Sequence, residues 1–369
     1  MTKKATLTSE HRPKVLIVGL FTPYNKLDNQ DAYFDEFISL INTLGIEYDG
    51  QYFTKLRHIE KANFLTKGKL QELIDLCEKE KYDEVIISEI LTPLQERNLS
   101  DLLNCDVFDR EKLILEIFKN SAHTAEGKIQ VEMAEIEFLK SRLAGKGYEL
   151  AQQIGVIGVR GPGETAKEVL QRHLENKIRQ AKKKLKTLEH AKEEQRKQRL
   201  SSHIPLICLV GHTNAGKSTV LNQLTKSDVL VEDKLFATLD ITTRKFFIDN
   251  KKQILISDTV GFISDLPHHL IEAFKTTLDE LKYANILLCV IDASNPCWKN
   301  QIKVVQNTLE EIEIEKSILY VFNKIDKLNK EQLDELKQNL QDYEPHILIK
   351  ATSKEGIQPL VNFLQSYKF

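Results

Sequence analysis

The strongest constraint on the fold is an apolar run, Leu206–Val210, that leads directly into GHTNAGKS at residues 211–218. This segment has the pattern G-x-x-x-x-G-K-S, and apolar residues follow it at helical spacing, at Val220, Leu221 and Leu224. Glycines allow successive backbone N–H groups to surround phosphate oxygens, and the following helix directs its positive end at the same anion. The sequence therefore predicts a buried strand, a phosphate-binding loop and a helix, in that order.

Polar residues in this loop and after a later strand indicate where phosphates and a metal ion would bind. Lys217 can reach the β- and γ-phosphates, and Ser218 can ligate Mg²⁺. Asp258 closes a second apolar strand and would hold Mg²⁺, usually through a water. The N–H of Gly261 would bond the γ-phosphate, which makes its loop a sensor of the bound nucleotide.

A threonine between these two segments should cover the γ-phosphate and Mg²⁺. The segment FATLDITTR at residues 236–244 offers Thr238, Thr242 and Thr243, and its sequence does not choose among them. Thr242 and Thr243 could instead begin the strand that continues to Ile248.

A third segment predicts which base is bound. The strand 317–322 ends in NKID at residues 323–326, and the carboxylate of Asp326 can accept hydrogen bonds from guanine N1–H and the exocyclic amine. Adenine has no such pair of donors, so GTP is selected over ATP. Lys324 can lay its stem over the ring, and Asn323 can brace both the loop and the edge of the base. After strand 346–349, the segment KAT at residues 350–352 lets the N–H of Ala351 reach guanine O6.

These segments define a predicted site for GTP, GDP and Mg²⁺, with K⁺ near Asn214 as a further candidate. The predicted catalytic residues are Lys217, Thr238, Gly261 and Asn214, and the predicted metal ligands are Ser218, Thr238 and Asp258. The predicted nucleotide-binding residues are Gly211, His212, Thr213, Asn214, Ala215, Gly216, Lys217, Ser218, Thr219, Phe236, Ala237, Thr238, Asp258, Thr259, Val260, Gly261, Asn323, Lys324, Asp326, Lys350, Ala351 and Thr352.

Phe262 stands where many nucleotide switches carry a Gln that orients the attacking water. An aromatic ring can neither orient nor deprotonate water, so hydrolysis by the protein alone should be slow. Phe262 could also pack against Leu266, Leu270 and Phe274 of the next helix, and both interpretations can hold together.

The N-terminal part alternates strand and helix signals, which favours a small, mostly parallel α/β layer. The predicted strands are 15–20, 85–88 and 107–108, with helices from Phe34 to Leu44 and from Pro93 to Leu103. From Arg110 to about Leu143 the pattern turns helical, with an apolar stripe that includes Met133 and Ile136.

A glycine-rich stretch from residue 144 to 168 is predicted to be a mobile loop, and Thr165 is predicted to cap the helix that follows. In that helix, Leu170, Leu174, Ile178, Ala181, Leu185 and Leu188 form a coiled-coil seam. The two stripes predict an antiparallel helical hairpin with the loop at its tip. Its second helix carries eleven Lys and Arg against four Glu between Arg172 and Arg199, in a chain of net charge −2. This basic arm favours a polyanionic partner, although a solvated helix face is the alternative.

Length and composition set the remaining expectations. With 369 residues, two or three domains are expected. No apolar run approaches the ~18 residues of a membrane helix, and the first fourteen residues show no signal peptide. The five cysteines form no Cys-x-x-Cys pair, which fits a reducing cytoplasm. We expect a cytoplasmic monomer without membrane insertion, and leave partial membrane association open.

Several segments together resemble one family, the HflX-type ribosome-associated GTPases of the Obg-HflX-like P-loop superfamily. They are GPGET before a basic helix, GHTNAGKS, FATLDITTR, DTVGFISDLPHHLIEAFKTTL and NKID, and DREKLILEIFKNSAHTAEGKIQVEMA resembles the family's entry into its helical hairpin. The resemblance covers roughly residues 13 to 369. Departures are Ile241, where Pro is usual, and Ile154 and Val156 in a usually glycine-rich run.

The resemblance implies an α/β N-terminal domain (1–109), a helical hairpin linker with a glycine-rich tip (110–200) and a Ras-like P-loop G domain (201–369). It favours Thr238 as the Mg²⁺-ligating threonine. It also implies binding to the large ribosomal subunit and its RNA, with splitting of stalled ribosomes under stress. Two alternatives stay open: a GTPase of ribosome assembly or RNA modification, and a nucleotide-sensing binding protein with incidental hydrolysis.

Overall fold

A computed structural model describes residues 12–25, 29–153, 166–201, 204–225, 234–248, 252–264, 266–274 and 278–369. These residues group into two units. The first contains residues up to 25 and from 33 to 113, and the second contains residues 29–32 and 114–369. Within the described residues, no helix is both long enough and apolar enough to cross a membrane.

The first unit contains a four-stranded parallel sheet of order β2-β1-β3-β4. Its elements are β1 (Val15–Phe21), α1 (Gln30–Thr43), β2 (Gly50–Lys55), α2 (Lys67–Glu80), β3 (Glu84–Ile87), α3 (Pro93–Leu103) and β4 (Asp106–Phe108). All seven residues of β1 are buried, as expected for a central strand covered on both faces. The predicted parallel α/β layer is confirmed.

Two elements of this unit, β2 and α2, were not predicted. The sequence GQYFTK of β2 contains no fully buried residue, because β2 pairs with β1 alone at the edge of the sheet. An edge strand of this kind has no continuous apolar run to reveal it. The predicted helix from Pro93 is confirmed, and Thr92 caps it in a reciprocal bond pair with Gln95.

Three helices follow: α4 (Arg110–Ser121), α5 (Ala125–Gln153) and α6 (Ala166–Ser201). Helices α5 and α6 bury a shared seam, whose members are Ile136, Leu143, Leu170, Leu174 and Ile178. Leu143 lies in the later part of α5 and Leu170 lies near the start of α6, and both belong to this one cluster. This fits the predicted antiparallel hairpin.

The prediction of a loop from residue 144 was wrong as far as Gln153, because α5 continues to that residue. Glycine lowers helix propensity by only about 1 kcal/mol, so Gly145 and Gly147 do not end a helix of 29 residues. At the other end, residues 166–168 form the start of α6 instead of a loop, and the remainder of the predicted loop, residues 154–165 with Thr165, lies outside the described residues.

The C-terminal sheet has six strands in the order β10-β9-β8-β5-β7-β6, all parallel to their neighbours except β6. Its strands are β5 (Leu206–Val210), β6 (Thr242–Ile248), β7 (Lys252–Asp258), β8 (Ile286–Asp292), β9 (Ile318–Asn323) and β10 (His346–Leu348). Its helices are α7 (Lys217–Thr225), α8 (His268–Ala273), α9 (Trp298–Glu311), α10 (Lys330–Asn339) and α11 (Gln358–Ser366).

The core lies on both faces of this sheet. Leu206, Cys208 and Val210 of β5 face a cluster that includes α9, whereas Ile207 and Leu209 face the cluster of α7 and α11. Because β5, β7 and β9 run parallel, their carboxyl ends meet at one edge of the sheet. That edge brings together the loops that follow Val210, Asp258 and Asn323, as expected for an α/β binding site.

Candidate functional site

The loop between β5 and α7 wraps around a cavity because three of its residues adopt positive φ angles. Gly211 has φ +148°, Asn214 +59° and Gly216 +96°. A Cβ atom on Gly211 would lie 2.2 Å from the carbonyl oxygen of Val290, and one on Gly216 would lie 2.4 Å from Asn323 Nδ2. Glycine is therefore required at both positions by backbone conformation and by space.

The ammonium group of Lys217 lies inside this loop. Its side chain is buried, and Nζ donates to the carbonyl oxygens of Gly211 at 3.1 Å and His212 at 2.9 Å. Burial lowers the pKa of Lys217 to about 8, and the charge of Asp258 opposes that shift. A buried cation whose hydrogen bonds go to backbone carbonyls is suited to bind an anion such as a phosphate.

Three oxygen atoms converge beside Lys217. Ser218 Oγ lies 2.6 Å from Asp258 Oδ2 and 2.9 Å from Thr238 Oγ1, and Thr238 Oγ1 donates to Asp258 Oδ2 at 3.1 Å. Ligands at neighbouring corners of an Mg²⁺ octahedron lie about 2.9 Å apart, because each ligand is about 2.0–2.1 Å from the ion. Asp258 Oδ1 is buried without a hydrogen-bond partner in the described part of the chain. This all-oxygen set fits Mg²⁺.

Burial raises the pKa of Asp258, while the charge of Lys217 and the bonds from Ser218 and Thr238 oppose that rise. The ionisation of Asp258 is therefore linked to Lys217, Ser218 and Thr238. Thr242 and Thr243, the other two candidate threonines, begin β6 instead, as the simpler interpretation of the sequence predicted.

The segment after β7 is attached to the phosphate loop through its backbone. Phe262 N–H donates to Gly211 O at 3.1 Å, and Thr213 N–H donates to Phe262 O at 2.7 Å. A Cβ on Gly261 would lie 2.8 Å from Thr213 Cγ2 and 3.0 Å from Lys217 Nζ, so no larger residue fits there. The ring of Phe262 is buried in the cluster that contains Ile271 and the half-buried Leu266. Of the three predicted partners of Phe262, Leu266 packs against this cluster, whereas Leu270 and Phe274 are not members of it.

The segment NKID is joined to the phosphate loop by two side chains. Asn323 Nδ2 donates to Ala215 O at 3.0 Å, and Asn323 Oδ1 accepts from Ala351 N–H at 3.0 Å. Lys324 Nζ donates to Asn214 O at 2.8 Å and to Asp292 Oδ2 at 2.7 Å. Asn323 thus aligns the phosphate loop with the segment at Ala351, which is the bracing that the sequence predicted for it.

The predicted site residues fall into two groups that meet at Asn323. The phosphate cavity is lined by Thr213, Asn214, Gly216, Lys217, Ser218, Thr219, Lys234, Phe236, Ala237, Thr238 and Gly261. The exposed Asp326 carboxylate, in contrast, lies 3.8 Å from Lys350 Nζ. Thr259 and Val260 are both buried, and the Thr259 hydroxyl donates to Leu209 O at 2.7 Å. This bond attaches the segment after β7 to strand β5.

Two residues of this site were missed by the sequence reasoning. Asp292 holds Lys324, and its only signal was a carboxylate at the end of an apolar strand. Lys234 lines the phosphate cavity, and nothing in its sequence neighbourhood distinguishes it from other lysines.

The fold and the site define a P-loop GTPase, and comparisons with known proteins agree. Residues 206–324 match the family described as 50S ribosome-binding GTPase. Residues 31–119 match the family described as GTP-binding GTPase N-terminal, and residues 121–199 match its middle region.

Relatives cover most of the chain. The GTPase HflX of Lacrimispora saccharolytica is 41% identical over 360 residues, which is 97% of this chain and 83% of the relative. The GTPase HflX of Escherichia coli is 40% identical over 335 residues, or 90% of this chain and 75% of the relative. The chain belongs to the HflX family of GTPases, and it binds and hydrolyses GTP.

The solved structure of SsGBP in complex with GDP is similar to this chain over its length. It is 25% identical, covers 95% of this chain and 99% of its own, and has a TM-score of 0.51. The similarity supports the fold described above and binding of a guanine nucleotide.

Proposed function

We propose that this GTPase binds the large ribosomal subunit in its GTP state and separates stalled ribosomes under stress. The observation that carries the proposal is a nucleotide-sensing site joined in one chain to an exposed basic hairpin helix. The family matched by residues 206–324 is described as ribosome-binding, which supports the choice of partner. We keep the division into an α/β domain (1–109), a hairpin (110–200) and a G domain (201–369) as part of the proposal, with the protein acting as a cytoplasmic monomer.

In the proposed mechanism, the GTP phosphates lie in the loop of residues 211–218. Lys217 pairs with the β- and γ-phosphates, and the N–H of Gly261 donates to the γ-phosphate. Ser218, Thr238 and Asp258 would hold Mg²⁺, which supplies positive charge to the triphosphate when it is bound. When the γ-phosphate leaves, Thr238 and Gly261 both lose a partner, so the two segments that carry them would change together.

Asp326 would select guanine, and Phe262 would keep hydrolysis slow. The Asp326 carboxylate is exposed, so it can accept hydrogen bonds from two guanine donors, and Lys350 Nζ lies 3.8 Å from it. The Phe262 ring is turned into the core, so this residue supplies no polar group to an attacking water. We therefore expect the ribosomal partner to accelerate hydrolysis by ordering the two segments around the γ-phosphate. Donation of an arginine by a partner gives ~10³–10⁵ in other GTPases, and ordering alone should give less.

The partner surface in this proposal is the outer face of α6. Leu174, Ile178, Ala181 and Leu185 of this helix are buried, whereas Lys182, Lys183, Lys184 and Lys186 are exposed. Within the described residues, these four lysines have no carboxylate at ion-pair distance. Such a group of exposed cations suits the phosphates of ribosomal RNA. Its contribution to binding affinity should weaken as the salt concentration rises. Arg160, predicted for a specific RNA contact, lies outside the described residues.

The test compares full-length variants with equal charge change. Lys182→Glu, Lys183→Glu and Lys184→Glu are combined in one protein, and Lys316→Glu, Lys330→Glu and Lys354→Glu in the control. Both should keep the hydrolysis rate measured without ribosomes. Only the first should lose stimulation by purified large subunits, and Arg160→Glu should behave like it. Equal stimulation of both triple variants would move the ribosome-binding surface away from α6.

K⁺ is a separate part of the proposal. Asn214 lines the phosphate cavity, and some GTPases that lack the Gln use K⁺ beside an Asn of this loop as an added positive charge. Turnover is compared in KCl and NaCl at equal ionic strength. No difference between the salts, or the same difference in Asn214→Ala, would reject this role.

A further inference from the structure

The segment that carries Thr238 is attached on both sides to the junction between α4 and α5. We call the described residues 118–127 the elbow: they comprise the end of α4, the turn and the first residues of α5. Two of its contacts fall on Phe236 and Asp240, two residues before and two residues after Thr238.

The first contact is aromatic. Phe118 of α4 is buried, and its ring meets the Phe236 ring edge-on with centroids 4.7 Å apart. The Phe118 ring also meets the ring of Phe274, just after α8, with centroids 4.9 Å apart. Phe236 is itself buried and has φ +56°, a conformation that non-glycine residues keep only where their surroundings impose it. Phe118 thus supports the segment before Thr238 and the segment after Gly261 at once.

The second contact is polar. The carboxylate of Asp240 accepts hydrogen bonds from His123 N–H and Thr124 N–H, each at 2.8 Å, and from the Thr124 hydroxyl. The same Thr124 oxygen accepts from Gly127 N–H at 3.0 Å, which makes Thr124 a cap of α5. Asp240 therefore sits at the positive N-terminal end of α5, where a carboxylate is favoured.

We propose that Asp240 is a positioning residue for GTP hydrolysis, because its bonds to the elbow hold Thr238 against Ser218 and Asp258. Thr238 is the middle residue of a five-residue span, 236–240, that is fixed at both ends, and its hydroxyl is 2.9 Å from Ser218 Oγ. The hairpin thereby influences the GTP site within its own chain. The inference rests on the role proposed above for Thr238.

Gly127 offers a second way to disturb this contact without changing Asp240. A Cβ on Gly127 would lie 2.3 Å from Asp240 Oδ1, so Gly127→Ala must displace the carboxylate. Alanine has a higher helix propensity than glycine, so this substitution favours α5 itself. A loss of activity in Gly127→Ala that comes with an intact or strengthened helix would separate positioning from general destabilisation.

The experiment measures kcat and KM for GTP, the Kd of GDP and thermal unfolding for full-length variants. Asp240→Asn and Gly127→Ala should each lower kcat by about fivefold to tenfold, as expected when charge-assisted bonds that position a reacting group are lost. The Kd of GDP should stay within about twofold, because GDP has no γ-phosphate for Thr238 to cover. The double variant should be no slower than the slower single variant, since both remove one contact. Asp334→Asn, an exposed carboxylate on α10, is the matched control.

Thr238→Ala distinguishes failure of this inference from failure of the proposed site. If Thr238→Ala lowers kcat while Asp240→Asn keeps the wild-type kcat, the elbow does not position Thr238 and the inference is wrong. If Thr238→Ala itself keeps the wild-type kcat, the role proposed for Thr238 is wrong, and positioning it has no function. If Asp240→Asn raises the Kd of GDP by the same factor by which it lowers kcat, Asp240 only maintains the structure of the site and does not position Thr238.

Discussion

Replacing Phe262 by Gln would place an amide in a buried position, and we expect a less stable protein with no faster hydrolysis. Only 2% of Phe262 is exposed, and its ring packs in the cluster that contains Leu206, Cys208 and Ile271. Its backbone N–H and C=O are both used in bonds to the phosphate loop. These bonds fix the backbone at this position, and the buried ring shows that the side chain is directed into the core, so a Gln there is not aimed at the γ-phosphate.

The expected loss in the free energy of unfolding follows from the burial of Phe262. Deleting a buried Phe side chain costs about 3–5 kcal/mol, and Gln restores part of that volume. Gln also brings an amide that costs about 1–3 kcal/mol if it stays unpaired. We therefore expect a loss of about 3–5 kcal/mol in the free energy of unfolding, a large part of the typical ~5–15 kcal/mol. Phe262→Leu, the control, should lose about 1–2 kcal/mol because it keeps an apolar side chain.

Urea unfolding and GTP turnover, measured on the same preparations, check the predicted loss of stability and the predicted absence of faster hydrolysis. Phe262→Gln should unfold at lower urea than Phe262→Leu, and neither should exceed the wild-type turnover. A rise in turnover of tenfold or more in Phe262→Gln, equal to about 1.4 kcal/mol of barrier, would refute the packing argument.

Three further predictions concern the nucleotide site. The affinity for GDP should fall by up to about tenfold between about pH 7 and about pH 9, because phosphate binds the ammonium form and burial lowers the Lys217 pKa to about 8. Calorimetry should show proton uptake on binding in this range, and Lys217→Ala should lack it. Gly216→Ala should abolish nucleotide binding because of the clash with Asn323, whereas Gly45→Ala, at φ +68° with nothing within 4 Å, should cost only about 1–2 kcal/mol of stability. Asp326→Asn should weaken GDP binding by about 1–3 kcal/mol and favour the xanthine nucleotide, and an unchanged preference for guanine in competition binding would contradict its role.

Local sequence was sufficient to predict the phosphate loop and the segment NKID. In both, residue types at fixed spacing match features that the structure shows: positive φ at Gly211 and Gly216, a buried cation at Lys217 and a bracing amide at Asn323. The same local patterns predicted α3 and the seam of α6, where apolar spacing matches the helical period.

Contacts between distant segments were not predictable in the same way. The choice of Thr238 over Thr242 depends on how the chain returns to Ser218, and residues 236–244 alone contain no sign of that return. The bonds of Asp240 to Thr124 join positions 116 residues apart in sequence. The strand β2 was missed for a related reason, since an edge position in a sheet is a property of the fold rather than of six residues.

The central claim is that the GTP state of this protein binds the large ribosomal subunit, and sedimentation tests it most directly. Purified large subunits are pelleted with the full-length protein in the presence of GTP, GDP or a non-hydrolysable GTP analogue, at two salt concentrations. The protein should pellet with the analogue, stay largely in the supernatant with GDP, and be lost from the pellet at the higher salt. Equal recovery with the analogue and with GDP would contradict a nucleotide-controlled switch, and no recovery with either would contradict the ribosomal partner.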